Sequence, residues 1–270
     1  MSKVDFNNIN MWNNAADSYI NEQEKSTFVE INKKIIHDRF CKVRGKEILD
    51  LGCGYGYYTD MLREFGNNVI GCDGSDKMIE YAKETYTKCD FQLVDIEKEL
   101  PYGNNTFDII LSNQVLMDIK NIESVVTECA RVIKDGGILY IGIVHPAFYN
   151  SEWLVDDKGF CKGKIMDKYL SEYSKVNKFW GDTMHYHRTI STYINMITSR
   201  GFRVVYMEEP EVYDGVNKSK EIPLFLFMEF EKTKEKDLFY SESNMAHLRN
   251  VIEDIEKEKA TLEEHNLIEE

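Results

Sequence analysis

The chain has 270 residues, enough for one domain of ordinary size plus an extension, and 43% of them are hydrophobic, enough for a sizeable core. Its 47 acidic and 33 basic residues give a formal net charge of −14. This charge argues against a nonspecific nucleic-acid binder, because the neutralisation of phosphates needs a cationic surface. No apolar run approaches the roughly 18 residues of a membrane span, and the opening residues lack the apolar stretch of a signal peptide.

The predicted elements begin with a helical N-terminal cap over residues 1–45. Apolar runs then alternate between strand and helix patterns. In chain order they predict strand 47–51, helix 57–65, strand 68–73, helix 77–86, strands 91–95 and 107–112, helix 122–133 and strand 138–144. Because strands that alternate with helices pair in parallel through right-handed crossovers, we expect a parallel α/β sheet.

This alternation stops after Pro146. Residues 147–188 are rich in aromatic side chains and have no clear period, and such a long irregular stretch in a compact domain is usually functional. We therefore expect a lid over a ligand. Order returns with a helix over 189–199 and strands over 202–208 and 224–230, and the absence of a helix between these two strands predicts an antiparallel end to the sheet.

The tail, residues 235–270, differs from the preceding domain of residues 1–234. It has eleven acidic and four basic residues, and apolar side chains recur in it at spacings of three and four from Met245 to Leu262. This pattern predicts an acidic, amphipathic helical extension. It packs on its own domain in one interpretation and forms a homodimer contact in the other.

Six cysteines are spread through the chain, and none forms a C-x-x-C pair. A zinc ribbon and a thioredoxin-type site are thereby disfavoured. His185 and His187 would share one face of an extended segment, but no third ligand is evident, so we expect no metal. Reduced thiols in a cytoplasmic protein account most simply for these cysteines.

A glycine-rich segment, 49-LDLGCGYG-56, follows the first predicted strand directly. Glycines at such a turn let the backbone approach a ligand closely. The spacing is G-x-G-x-G and not the G-x-G-x-x-G of dinucleotide-binding sites, which argues against a nicotinamide-dependent oxidoreductase. Asp50 precedes the glycines, and a carboxylate there suits a cationic group better than a pyrophosphate, which it would repel.

Two further acids end the next two predicted strands. Asp73 ends the second and is placed to accept both hydroxyls of a ribose, since Ser75 is the better cap for the following helix. Asp95 ends the third, and Ser112 ends the fourth. All of these positions fall on the carboxyl edge of the sheet, where open α/β sheets bind ligands.

In these segments, together with 107-FDIILS-112, the chain resembles the class I S-adenosylmethionine-dependent methyltransferases. Among these enzymes it resembles the type 11 group, which acts on small molecules. The resemblance covers roughly residues 10 to 231. It implies a Rossmann-like three-layer sandwich with a seven-stranded, mostly parallel sheet and an antiparallel last strand. It also implies S-adenosylmethionine as cofactor and S-adenosylhomocysteine as product.

The resemblance implies that the glycine loop holds the methionine part of the cofactor, Asp73 the ribose, Asp95 the adenine amino group and Ile96 the adenine ring. The residues expected to bind the cofactor are Asp50, Gly52, Cys53, Gly54, Gly56, Tyr58, Asp73, Gly74, Met78, Asp95, Ile96, Ser112 and Met117. The residues expected to contact the acceptor are Trp12, Tyr19, Trp180 and Tyr186.

Methyl transfer from a sulfonium depends mainly on positioning, and a base is needed only if the acceptor must lose a proton. His145 and His187 are the candidate bases. The Asn/Asp-Pro-Pro-aromatic loop of nucleic-acid amino methyltransferases is absent after the fourth strand, where the chain has 112-SNQV-115. We therefore predict methylation of an oxygen or nitrogen of a small molecule. Chemistry on the cofactor's amino-acid arm and a non-catalytic cofactor-binding module are the alternatives.

Overall fold

The structure is a computed structural model that describes residues 8–23, 26–211, 221–233 and 242–256. The chain divides into two compact units, Met1–Lys232 and Thr233–Glu270. The helices of the first unit are α1 (Asn8–Gln23), α2 (Thr27–Phe40), α3 (Tyr57–Glu64), α4 (Asp76–Thr85), α5 (Ile122–Val132) and α6 (Ile190–Thr198). The strands are β1 (Glu47–Leu51), β2 (Asn68–Asp73), β3 (Asp90–Leu93), β4 (Phe107–Asn113), β5 (Ile133–Val144), β6 (Glu152–Val155), β7 (Cys161–Ile165), β8 (Tyr173–Asn177), β9 (Thr183–His187), β10 (Phe202–Glu208) and β11 (Phe225–Lys232).

Seven of these strands form one sheet in the order β10-β11-β5-β4-β1-β2-β3. The five strands from β5 to β3 pair in parallel, and β11 lies between β5 and β10 and is antiparallel to both. The predicted seven-stranded sheet with an antiparallel last strand is therefore confirmed. Because β11 runs opposite to β5, its first residue, Phe225, and the preceding Leu224 lie beside the carboxyl end of β5.

The central strands form because their residues are apolar on both faces. Every residue of β1 after Glu47 is buried, and Ile110 and Leu111 of the neighbouring β4 are fully buried. Strands covered on both sides read as continuous apolar runs, as is expected for parallel strands between two layers of helices. The core therefore follows the middle of the sheet.

The connections between the strands place the ligand-binding edge. The chain moves from β1 to β2 and β3 through α3 and α4, and it moves in the opposite direction from β4 to β5 through α5. Right-handed crossovers in opposite directions put these helices on opposite faces of the sheet. The strand order reverses between β1 and β4, and a crevice opens at the carboxyl ends of strands at such a point.

The insert after β5 is not the irregular stretch that the sequence predicts. It contains two antiparallel hairpins, β6–β7 and β8–β9. Their strands have four or five residues, β6 is mostly exposed, and β9 is buried at four of its five positions. Neither strand shows the alternation of buried and exposed residues that reveals a half-buried strand in a sequence.

The β5 strand also begins earlier than predicted. It starts at Ile133, directly after α5, and Ile133 pairs with Phe107 before a register shift in the β4–β5 ladder. Gly136 has a φ of +75° and accommodates this irregularity, so the Asp-Gly-Gly segment lies within the strand and does not separate it from the helix.

In the second unit the structure describes the helix α7 (Glu242–Glu256). Ile252 is 55% exposed, whereas Met245 and Leu248 are half-buried. Leu262, the last residue of the predicted apolar stripe, lies outside the described residues. None of the helices in the described parts of the chain is long and apolar enough to cross a membrane.

Candidate active site at the carboxyl edge of the sheet

The glycine loop is fixed by its own main chain. Gly52, Gly54 and Gly56 all have positive φ angles, of +78°, +52° and +91°. The amides of Gly52 and Cys53 both donate to the carbonyl of Cys72, at 2.8 and 2.9 Å, and this ties the loop to the end of β2. A Cβ at Gly54 would meet nothing within 4 Å, so this glycine presents bare backbone to the space above the sheet.

Asp73 is oriented by the same loop. Its Oδ2 accepts from the Gly54 amide at 3.0 Å, and its Oδ1 accepts from the Ser75 amide at 2.8 Å. Burial raises the pKa of Asp73, and these two amides oppose the rise. Ser75 caps α4 through a hydrogen bond from the Met78 amide, which confirms the predicted cap and leaves Asp73 available to a ligand.

A cleft of about 590 Å³ lies along this edge of the sheet, and we call it the edge cleft. Most of the predicted cofactor residues line it together. They are Gly52, Cys53, Gly54, Tyr58, Asp73, Gly74, Met78, Asp95, Ile96 and Met117. Asp95 follows β3 by two residues and does not end it, and its Oδ2 forms an ion pair with Lys98 at 3.0 Å.

Three predicted cofactor residues do not line the edge cleft, namely Asp50, Gly56 and Ser112. Asp50 is 2% exposed and lies behind the glycine loop, where its Oδ2 accepts from Thr59 Oγ1 at 2.7 Å. Burial raises the pKa of Asp50 to about 7, although the Thr59 hydrogen bond lowers it in part. The predicted contact between Asp50 and the cofactor is therefore not what the structure shows, because Asp50 lies behind the residues that line the cleft.

An aromatic cluster closes one side of the edge cleft. Tyr19 of α1 meets Trp12, Trp180 and Tyr55 edge to face, with ring centroids 5.3, 5.4 and 6.3 Å away. Trp12, Tyr19 and Trp180, all predicted to contact the acceptor, line the cleft, whereas Tyr186 does not. This cluster joins the N-terminal helix, the glycine loop and the insert at one place.

Neither candidate base, His145 nor His187, lines the edge cleft. The Nε2 of His145 lies 2.7 Å from the Glu209 carboxylate, and burial lowers the pKa of His145. The Nε2 of His187 donates to the carbonyl of Tyr169 at 2.8 Å, and its ring stacks on Tyr173. The geometry gives both side chains positioning contacts within the protein and assigns neither of them to the acceptor.

His185, two residues before His187, does line the edge cleft, and so does Asp118. Asp118 is buried in the single 3₁₀ turn Leu116–Asp118 that follows β4. Asn8 joins this turn to β9, because its Nδ2 donates to the Asp118 carbonyl and its Oδ1 accepts from the Met184 amide at 3.0 Å. The insert therefore forms a wall of the same cleft that the glycine loop forms.

The residues that sequence reasoning did not select include Asn8, Asn32, Asn177, Leu224 and Phe225. Leu224 and Phe225 had a usable signal, since a predicted antiparallel last strand must begin at the carboxyl edge of the sheet. The others belong to α1, α2 and β8, and nothing in their local sequence marks them. Among the described residues, no group of three His, Cys, Asp or Glu side chains is arranged to hold a metal ion.

Comparison with known proteins agrees with this geometry. The family model described as a methyltransferase domain matches residues 49–141. An uncharacterized protein of Haemophilus influenzae is 30% identical over 213 residues, which cover 72% of this chain and 84% of that protein. A ubiquinone biosynthesis O-methyltransferase of Rhizobium etli is 32% identical over 107 residues, which cover 38% of this chain and 43% of that enzyme.

Among solved structures, a Listeria monocytogenes protein proposed to be an S-adenosylmethionine-dependent methyltransferase has a TM-score of 0.66 and 25% identity. The match covers 74% of this chain and 97% of that chain. With the family model, the fold and the edge cleft, these relatives show that the chain belongs to the class I S-adenosylmethionine-dependent methyltransferases. S-adenosylmethionine is its cofactor, as the resemblance implies.

The residues on the wall fit this cofactor. The open side of Gly54 leaves room for a ligand against the backbone, and the Asp73 carboxylate is already held by two amides beside it. Met78 and Ile96 are buried apolar side chains on the same wall, and they suit a flat ring.

Proposed function

We propose that this methyltransferase methylates an oxygen or nitrogen atom of a small-molecule acceptor. The single observation that carries the proposal is that one cleft has two different halves. Gly54, Asp73 and Ile96 line the cofactor half, and Asn177, Thr183 and His185 of the two β8–β9 strands line the other. A molecule of modest size in the second half would lie next to the cofactor and beneath the insert.

When bound, S-adenosylmethionine supplies a methyl carbon on a positively charged sulfur that leaves as a neutral thioether. The protein's own part is to bind and align. Asp73 would hold the ribose hydroxyls, and the backbone of Gly52 and Gly54 would lie along the methionine part. Trp12, Tyr19 and Trp180 would exclude water from the reacting centre. Alignment of this kind can supply a large part of the rate of a bimolecular reaction.

Oxygen and nitrogen are both candidates for the acceptor atom. The Rhizobium etli relative is an O-methyltransferase of ubiquinone biosynthesis by name, and this chain matches 43% of its length. That name supports oxygen as one candidate. The acidic wall of the edge cleft supports nitrogen, because carboxylates attract a protonated amine.

The test uses cofactor with an isotopically labelled methyl group, the full-length chain and a small-molecule extract of cells. We expect the label to appear on an extract compound, with one S-adenosylhomocysteine formed for each methyl transferred. The Asp73→Ala variant is expected to bind the cofactor about 100-fold more weakly in calorimetry, because it loses a charged acceptor of hydrogen bonds. The variant is expected to remain folded, with a somewhat lower melting temperature because the Gly54 and Ser75 amides lose their acceptor.

Two outcomes would overturn the proposal. Consumption of the cofactor without any acceptor would favour chemistry on its amino-acid arm. Tight cofactor binding with no turnover in any extract fraction would favour a non-catalytic binding module. Unchanged cofactor affinity in Asp73→Ala would count against the ribose assignment alone.

A further inference from the structure

Asp118 is a buried carboxylate on the insert side of the edge cleft, and the residue is 8% exposed. Among the described residues, no donor forms a hydrogen bond with its carboxylate. The Nδ1 of His185 lies 3.8 Å from Oδ1, which is beyond hydrogen-bonding distance. The backbone of Asp118 is held separately by Asn8, so its position does not depend on its side chain.

Within the described parts of the chain, a buried carboxylate in this position has no positive charge beside it to offset the loss of hydration. Removing a charge from water is costly unless the charge is paired, and burial raises the pKa of Asp118 well above its usual range. His185 does not supply the missing positive charge. Burial, with a further effect of nearby Lys175, lowers the pKa of His185 to about 3, so the imidazole is neutral at pH 7.

The described wall of the edge cleft is acidic as a whole. Four carboxylates line it, from Asp73, Asp95, Glu97 and Asp118, and the lysine on the wall, Lys98, is already paired with Asp95. An anionic acceptor would be repelled by this wall. Trp12, Tyr149 and Trp180 line the same cleft, and the faces of aromatic rings attract cations.

We propose that the methyl acceptor is a small amine whose nitrogen binds at Asp118, so that nitrogen is the atom methylated. This inference rests on the proposed function and adds the substrate class. The turn that contains Asp118 packs against β9, and β9 lines the acceptor half of the cleft. Phe28, Leu224 and Phe225 offer apolar wall for the body of the amine.

The reaction balances with the groups named. The acceptor enters as an ammonium ion paired with the Asp118 carboxylate, and one proton passes from nitrogen to Asp118. The nitrogen lone pair then forms a bond to the methyl carbon while the bond from that carbon to sulfur breaks. Sulfur keeps the electron pair and becomes neutral, and the nitrogen, now bearing the methyl group, carries the positive charge. The proton on Asp118 is lost to water when the product leaves.

The experiment compares the wild type with Asp118→Asn, which keeps the size of the side chain and removes its charge. Both receive labelled cofactor and the small-molecule extract, and labelled products are separated by cation exchange at pH 7. We expect the labelled product to be retained as a cation and to carry its label on nitrogen by mass spectrometry. Asp118→Asn is expected to lower kcat/KM for that product about 100-fold. Its cofactor affinity in calorimetry is expected to stay within two-fold of the wild type.

The control is Asp157→Asn, which removes an exposed carboxylate from the insert and is expected to behave as the wild type. The melting temperature of Asp118→Asn should not fall, because the carboxyl group forms no hydrogen bond with the described residues that the substitution would break. A labelled product whose methyl group is on oxygen would overturn the proposal of an amine acceptor. It would not contradict the proposed function. A ten-fold loss of cofactor affinity in Asp118→Asn would also overturn the proposal of an amine acceptor, since Asp118 would then bind the cofactor's amino group. No labelled product with the wild type would overturn the proposed function itself.

Discussion

The two halves of the edge cleft are held in place by different kinds of bond. On the cofactor side, main-chain bonds from Gly52 and Cys53 to Cys72 tie the glycine loop to the sheet. On the acceptor side, side chains distant in sequence hold the insert. The Arg188 guanidinium donates to the carbonyls of Ile119 and Lys120, each at 2.8 Å. The comparison teaches that main-chain hydrogen bonds to a neighbouring strand fix the cofactor half, whereas side-chain contacts fix the acceptor half.

The largest expected effect tests whether the backbone conformation of the glycine loop holds the cofactor half in place. Gly56 has a φ of +91°, and a Cβ there would lie 2.6 Å from Cζ of Phe91. We expect Gly56→Ala to lower the free energy of unfolding by about 3 kcal/mol, because a left-handed conformation and a clash in the core act together. Urea denaturation measures this change.

Gly54→Ala is the matched control for that prediction. Gly54 also has a positive φ, of +52°, but a Cβ there would meet nothing within 4 Å. We expect it to cost about 1 kcal/mol of stability and to weaken cofactor binding, because the new methyl group enters the cleft. Equal losses of stability in the two variants would show that the surroundings of Gly56 do not matter.

The difference between the halves also explains what the sequence predicts. The bounds of β1 and β2 agree with the prediction, and so does the assignment of Ser75 and not Asp73 as the cap of α4. Each depends on residues within a few positions of one another. A glycine turn, an N-cap and an apolar run are local patterns, and their physical causes are local as well.

The acceptor half could not be predicted in this way. His185 and His187 do lie on one extended strand, as the sequence indicates, yet His185 lines the cleft and His187 does not. The reason is that Tyr169 and Tyr173, from a preceding turn and strand, cover His187. Nothing near His187 in the sequence indicates this cover. Asn8 reaches Asp118 across 110 positions for the same kind of reason.

An intermediate effect is expected at Arg188, which anchors the insert. Arg188→Met keeps much of the apolar stem and removes the donors to the carbonyls after β4. We expect kcat/KM for methyl transfer to fall about ten-fold, because a misplaced acceptor wall disturbs alignment. Cofactor affinity should stay within two-fold of the wild type. Faster limited proteolysis of residues 147–188 would accompany the change.

Arg200→Met serves as the control for this prediction. Arg200 follows α6 and pairs with Glu123 of α5, away from the insert. Its loss is expected to leave methyl transfer unchanged, as is usual for an exposed ion pair. If Arg188→Met weakened cofactor binding as strongly as methyl transfer, the two halves of the cleft would not be held in place independently of each other.

The smallest expected effect concerns Asp50, which belongs to the cofactor half but lies behind its wall. The folded pKa of about 7 exceeds the ordinary value of 3.8, so the folded chain binds this proton more tightly than the unfolded chain. The stability that the proton contributes is complete below about pH 4 and is lost as the pH rises through 7. Asp50→Asn should therefore flatten the fall in unfolding free energy between pH 4 and pH 7.

Cofactor binding should shift the same equilibrium. A cation in the edge cleft favours the ionised form of Asp50, so we expect a fraction of a proton to be released per S-adenosylmethionine bound at pH 7. Calorimetric enthalpies measured in buffers of different ionisation enthalpy give this fraction directly. It should be smaller for S-adenosylhomocysteine, whose sulfur is neutral, and smaller still for Asp50→Asn with either ligand. Equal proton release by Asp50→Asn and the wild type would show that Asp50 does not sense the charge in the cleft. The cofactor half would then act by contact alone, as we propose for the acceptor half at Asp118.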